Sequence, residues 1–153
     1  IEPLVVSWGY KNSEFSRTPF QNIHLWQGTR DISPFLTIPK AIEFRDKYSW
    51  DNVSLINKQM ILDFRNEILS NFNTTVLFEG NPERWLGQMY SFSIPNEINT
   101  SLDIKSTLIH KYNIEIPVFV WEKKLYIRIS LNGYNSEDDL HRLLEVLPKI
   151  IST

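Results

Sequence analysis

Two alternating runs separated by two residues constrain this chain most. Ile114, Ile116, Val118 and Val120 alternate with Glu115, Pro117, Phe119 and Trp121, and after Glu122-Lys123 the residues Leu125, Ile127 and Ile129 alternate with Tyr126, Arg128 and Ser130. A period of two puts one set of side chains on each face of a pleated strand. Two such runs around a two-residue turn predict an antiparallel hairpin. Pro117 has no N–H to give to a ladder, so its strand has at least one free edge position. A third alternation lies upstream over 86–94, with Gln88, Tyr90, Phe92 and Ile94 on one face and Met89, Ser91 and Ser93 on the other, ended by Pro95.

Helical periods surround these strands. Ser101 caps a short helix whose apolar face is Leu102, Leu108, Ile109 and Tyr112. Ser136 and Asp139 resemble a capping box for a last helix reaching about Ile151, with Leu140, Leu143, Leu144, Leu147 and Ile151 inward. From residue 86 the order is therefore strand, helix, strand, strand, helix. This is an α+β fold, a small antiparallel sheet of about three strands covered on one face by helices. Two earlier helices precede it. One has Ser33 as N-cap and Pro34 in its first turn, with Phe35, Ile38, Ile42 and Arg45 forming an inward stripe that ends in a cation. The other starts near Ser49 to Asp51 and carries Val53, Ile56, Met60, Phe64, Ile68 and Phe72 at spacings of three and four. Residues 1–6 read as a short strand, 10–24 as a long aperiodic loop, and 71–82 as a polar connection holding the apolar patch Val76-Leu77-Phe78.

Composition removes several function classes. The 153 residues carry sixteen Lys and Arg against eighteen Asp and Glu, a net charge of −2, with no basic stripe for nucleic acid. No apolar run is long enough to span a membrane and no signal-peptide pattern is present, so a cytoplasmic location is expected. There are no cysteines, which excludes disulfides, thiolate metal sites and thiol nucleophiles within the segment. His24, His110 and His141 have no partners at ligand spacing, so no metal site is expected.

Two places offer binding chemistry. In Leu25 to Asp31, Gly28 and Thr29 supply main-chain N–H groups and a hydroxyl ahead of the helix at Ser33-Pro34. The alternatives there are a cradle for an anion such as phosphate, or an ordinary turn. Arg128 stands mid-strand on the face opposite Leu125, Ile127 and Ile129, between Tyr126 and Ser130. Its alternatives are a bidentate grip on a carboxylate, or a solvent-exposed strand arginine. The aromatics Phe15, Phe20, Trp26 and Phe35 line a pocket or belong to the core, and Glu137-Asp138-Asp139 suits the start of a helix.

Several stretches in order resemble the C-terminal part of a class V aminotransferase-type enzyme of fold type I, in the isopenicillin-N-epimerase-like branch. They are Pro3 to Gly9, Trp26 to Asp31, Pro39 to Phe44, Gln88-Met89, Glu115-Ile116-Pro117, Arg128-Ile129-Ser130 and Tyr134-Asn135. The resemblance implies a pyridoxal 5'-phosphate (PLP) enzyme acting on an amino acid, by epimerase, aminotransferase or C–S lyase type chemistry. It implies a homodimer in which Gly28 and Thr29 contact the cofactor phosphate of the partner subunit, while Arg128 binds the substrate carboxylate. It further implies that residues 1–32 are an extended segment and dimer-interface loop, that 33–153 are the small α+β domain, and that a large cofactor-binding domain lies upstream.

The Schiff-base lysine of that family is not matched here. His110-Lys111 comes in the wrong order and reads as a helix-terminal cation. No catalytic residue is therefore expected in the segment, and alone it is expected to be inactive. Desulfurases of the superfamily carry a nucleophilic cysteine between the Gly-Thr stretch and the substrate arginine; its absence disfavours persulfide chemistry. A stand-alone, non-catalytic binding or interaction module is the competing expectation.

Overall fold

The computed structural model describes residues 1–4, 10, 18–25, 28–74, 76–95 and 101–151. The chain divides into two compact units, Ile1–Lys47 and Tyr48–Thr153.

The first unit contains α1 (Pro19–Leu25), α2 (Ser33–Leu36) and α3 (Ile38–Lys47). α1 replaces part of the loop expected over 10–24. Its start is a capping box, Thr18-Pro19-Phe20-Gln21, in which the Gln21 N–H donates to Thr18 Oγ1 at 3.2 Å and the Thr18 N–H donates to Gln21 Oε1 at 3.0 Å. The single helix expected from Ser33 is two helices broken at Thr37. Pro39 explains the break, since it cannot donate to the Phe35 carbonyl and its ring crowds that turn. Ser33 is not the N-cap. Asp31 Oδ1 instead accepts from both the N–H (2.8 Å) and the hydroxyl (2.5 Å) of Ser33. The stripe expected to face inward does not: Phe35, Ile38 and Ile42 are each more than half exposed. Ile1 to Leu4 lie outside regular structure, and the rest of the strand expected there is outside the described residues, as are Phe15 and Trp26 of the aromatic cluster.

The second unit runs α4 (Trp50–Asn71), α5 (Pro82–Trp85), β1 (Met89–Ile94), α6 (Ser101–Tyr112), β2 (Val118–Trp121), β3 (Lys124–Ser130) and α7 (Glu137–Ile151). The three strands form one antiparallel sheet in the order β1-β3-β2, with Phe92 opposite Ile127 on one side and Val118 opposite Ile127 on the other. The fold is thus the small α+β sheet with helices that the alternations predict. Tyr90, Phe92, Ile94, Leu125, Ile127 and Ile129 form its inner face. They join one core with Ile61, Phe64 and Ile68 of α4, Ile104 and Leu108 of α6, and Leu143, Val146, Leu147 and Ile150 of α7.

Three apolar stripes keep part of the expected set, Met60, Phe64 and Ile68 in α4, Leu108 in α6 and Leu140, Leu143 and Leu147 in α7, and shift at their edges. In α4 the inward positions are Asn57, Met60, Ile61, Phe64 and Ile68, and Ile56 is exposed. In α6 they are Ile104 and Leu108, with Leu102 exposed. In α7, Val146 and Ile150 join Leu140, Leu143 and Leu147, and Leu144 and Ile151 are half-buried. Long amphipathic stretches offer two adjacent stripes, and packing against the sheet selects one.

The elements that frame the outer end of the hairpin follow from local chemistry. α6 ends in an αL cap: Asn113 takes a left-handed φ of 57° and its N–H donates to Ile109 at 3.2 Å, and the Ile114 N–H donates further back, to Leu108, at 2.9 Å. This turn sends residues 114–117 back along β3. Strand pairing begins only at Val118, not at Ile114 as the alternation suggests. On the α7 side, the Ser136 N–H donates to Asp139 Oδ2 at 3.0 Å, the returning half of a capping box.

A carboxylate-sized groove at the open end of the hairpin

Arg128 lies where the expectation put it, mid-strand on β3, with its side chain exposed on the face opposite the core. The register sets it across from Ser91 of β1. On the other edge its main-chain N–H donates to the Pro117 carbonyl at 3.1 Å. Pro117 has no N–H to return, and the chain departs from β3 beyond this rung, turning Ile116 into the core. A groove of about 230 Å³ opens there, walled by 114–117, by Arg128 to Leu131, and by Asn135, Asp139, Leu140 and Leu143.

The polar groups of this groove divide into committed and free. Asn135 Oδ1 accepts from the Asn132 N–H at 3.0 Å, and its Nδ2 donates to Asp139 Oδ2 at 3.3 Å. The same Asp139 oxygen caps α7 through Ser136. Asn135 and Asp139 therefore hold the loop and the helix start together. The Arg128 guanidinium makes no hydrogen bond or ion pair among the described residues, and Glu115 is exposed on the facing wall. Arg128 lines this groove together with Ile114, Ile116, Ile129 and Leu140, and an uncommitted guanidinium can bind a small carboxylate in bidentate fashion. The strand alternation gave the position and face of Arg128; that Asn135 and Asp139 line the same groove was not legible, although Asp139 was legible as a capping residue.

Gly28 and Thr29 belong to the first unit. Gly28 has φ 85°, a left-handed conformation that glycine adopts freely, and Thr29 is exposed. Neither makes a hydrogen bond among the described residues. Arg30 lies beside them with its guanidinium 5.2 Å from the Phe35 ring centroid. A hydroxyl, main-chain N–H groups and a neighbouring cation form a donor set that suits a phosphate. The start of α2 is not part of it, because Asp31 already takes the Ser33 N–H; those hydrogen bonds hold the Asp31 carboxyl below the ordinary carboxylate value of 3.8. Among the described residues no group of His, Asp and Glu is arranged to hold a metal, and no helix is long and apolar enough to cross a membrane.

No family model matches the chain. Two curated proteins named isopenicillin N epimerase do. That of Streptomyces clavuligerus is 26% identical over 96% of this chain, and that of Amycolatopsis lactamdurans is 27% identical over 98%. The chain is related to the isopenicillin-N-epimerase-like, class V aminotransferase-type proteins. It spans 39% of the length of each of these two relatives. A probable L-cysteine desulfhydrase, chloroplastic, of Arabidopsis thaliana is 25% identical over 82% of the chain and 29% of its own length. Among solved structures, 8-amino-7-oxononanoate synthase from Francisella tularensis superposes with a TM-score of 0.61 at 16% identity, over 87% of this chain and 36% of that one. The fold is accordingly one found within the fold type I PLP enzymes.

Proposed function

We propose that this chain is the C-terminal domain of a dimeric PLP-dependent enzyme acting on an amino acid, and that Arg128 binds the substrate carboxylate. The observation that carries the reading is the uncommitted Arg128, lining a groove of about 230 Å³, on a chain related to epimerases and C–S lyases. PLP, when bound, supplies an electron sink for a carbanion at the amino acid Cα. The residues of this chain orient rather than react. Arg128 fixes the carboxylate, Asn135 and Asp139 keep the groove wall in place, and Ile116, Ile129 and Leu140 exclude water from the substrate's apolar part. Gly28 and Thr29 donate to the phosphate of the cofactor held by the partner subunit. On this reading the lysine that would hold the cofactor lies outside this chain. Without it the chain is inactive by itself. A cytoplasmic location goes with this reading.

The test uses the full-length natural protein. It shows the absorbance band of lysine-bound PLP, and Arg128→Ala raises KM for the amino acid about 100-fold while the band persists, as expected for loss of a bidentate charged contact. Absence of the band in the full-length protein overturns the enzyme reading, and loss of PLP from Arg128→Ala overturns the role of Arg128.

A further inference from the structure

Main-chain N–H groups along a strand point alternately to its two edges. The Leu131 N–H points to β1, donating to the Gln88 carbonyl at 2.8 Å, and the Arg128 N–H points the other way, to Pro117 at 3.1 Å. The Ser130 N–H therefore shares the Arg128 edge. If the β2–β3 register continued, Glu115 would lie opposite Ser130 and its carbonyl would accept that proton. The ladder stops at Pro117, and the Ser130 N–H has no partner among the described residues. Its hydroxyl has none either, and Ser130 is exposed on the groove wall. A main-chain donor left open at a strand edge, two residues from an uncommitted arginine, is available to an external acceptor.

We propose that the Ser130 main-chain N–H and hydroxyl complete, with Arg128, a carboxylate site at the open end of the β2–β3 ladder. This deepens the reading of Arg128 given above and rests on it for the choice of a carboxylate. The arginine supplies charge and the Ser130 N–H supplies a direction fixed by the strand, so the carboxylate is held in one orientation relative to the sheet. The N–H is available because Pro117 ends the ladder two residues early. Pro117 thereby acts as the residue that opens the site.

The experiment is a ¹H–¹⁵N titration of the whole 153-residue chain with sodium propionate at constant ionic strength. The Ser130 amide moves saturably while the Lys123 amide, in the turn at the far end of the hairpin, does not. Arg128→Ala weakens propionate at least about tenfold, the worth of one hydrogen bond to a charged group. Ser130→Pro removes the N–H at a position where β3 makes no ladder bond, and also weakens it about tenfold; Ser130→Ala keeps the amide shift and weakens binding by less. A Ser130 amide that stays still up to saturating propionate overturns the proposal, whether or not Ser130→Pro folds. The two readings fail separately. Movement of the amide in a protein whose full-length form never binds PLP keeps this site and removes the enzyme; a PLP band with an unmoved amide does the reverse.

Discussion

Arg128 donates its main-chain N–H to the Pro117 carbonyl at 3.1 Å, and this is the last rung between the hairpin strands at their open end. The groove proposed as the site of the second unit opens at that rung. Glu115, two residues before Pro117, is the negative charge on the facing wall. Asp139 is the other carboxylate of the groove, but its Oδ2 is spent on Ser136 and Asn135. Glu115 therefore opposes a bound carboxylate more directly.

Glu115→Gln is expected to tighten propionate binding about threefold at low ionic strength, with the gain shrinking toward nothing in about 1 M salt, as befits an exposed charge. The propionate titration repeated at both salt concentrations checks it. An unchanged affinity at low salt places Glu115 too far from the bound anion to matter.

The sheet was legible because period-two alternation is a strong local signal, and Phe92, Ile127 and Ile129 had only one face to choose. Arg128 was legible for the same reason, as the mid-strand charge among the alternating outward residues of its strand. The helix stripes were less so. Ile56 and Leu102 fit an apolar period as well as Ile61 and Ile104 do, and only the position of the sheet decides between them. Ser130 could not be read as a donor, because its free N–H depends on where the partner strand stops. Pro117 announced a free edge position without saying which neighbour it would strand. At Ser33 the hydroxyl that could have capped the helix donates to Asp31 instead, and the N-cap position falls on Ile32.

Tyr90 gives a pH dependence whose sign can be worked out. It is a core residue of β1, and burial raises its hydroxyl above the ordinary value of 10.0, partly offset by the charge of Arg65. In the folded chain the neutral form persists above pH 10, whereas the unfolded chain loses that proton near pH 10. The unfolded state is therefore favoured as pH rises past 10, and the contribution is fully present below that. Stability should hold up to about pH 9 and then fall, by at most about 1.4 kcal/mol per pH unit per tyrosine. Tyr126 is raised in the same direction, by burial and then by Glu122, so Tyr90→Phe should lessen the alkaline slope without removing it. Urea denaturation from pH 8 to 11 in both proteins measures the difference, and identical slopes would exclude the assignment to Tyr90.

The hairpin turn is the clearest place where sequence and backbone disagree. Glu122 has φ 45° and Lys123 φ 61°, the pair of left-handed residues that a two-residue hairpin turn of the primed type requires. Neither is glycine or asparagine, so each carries a steric penalty of about 1 kcal/mol between its Cβ and the following carbonyl. Glycine removes that penalty but costs the unfolded chain's extra freedom, about 0.5 kcal/mol or more. The net expectation is that Lys123→Gly stabilises the chain by about 0.5 kcal/mol, and that Lys123→Val, a β-branched residue in the same conformation, destabilises it by about 1 kcal/mol. Both are read from urea midpoints at constant slope. Because Trp121, one residue before the turn, packs on Tyr126 at 5.8 Å, a register slip in the turn would also disturb that pair. Tryptophan fluorescence during the same denaturation distinguishes a strained turn from a shifted one: Lys123→Gly should leave the native spectrum unchanged while moving the midpoint upward.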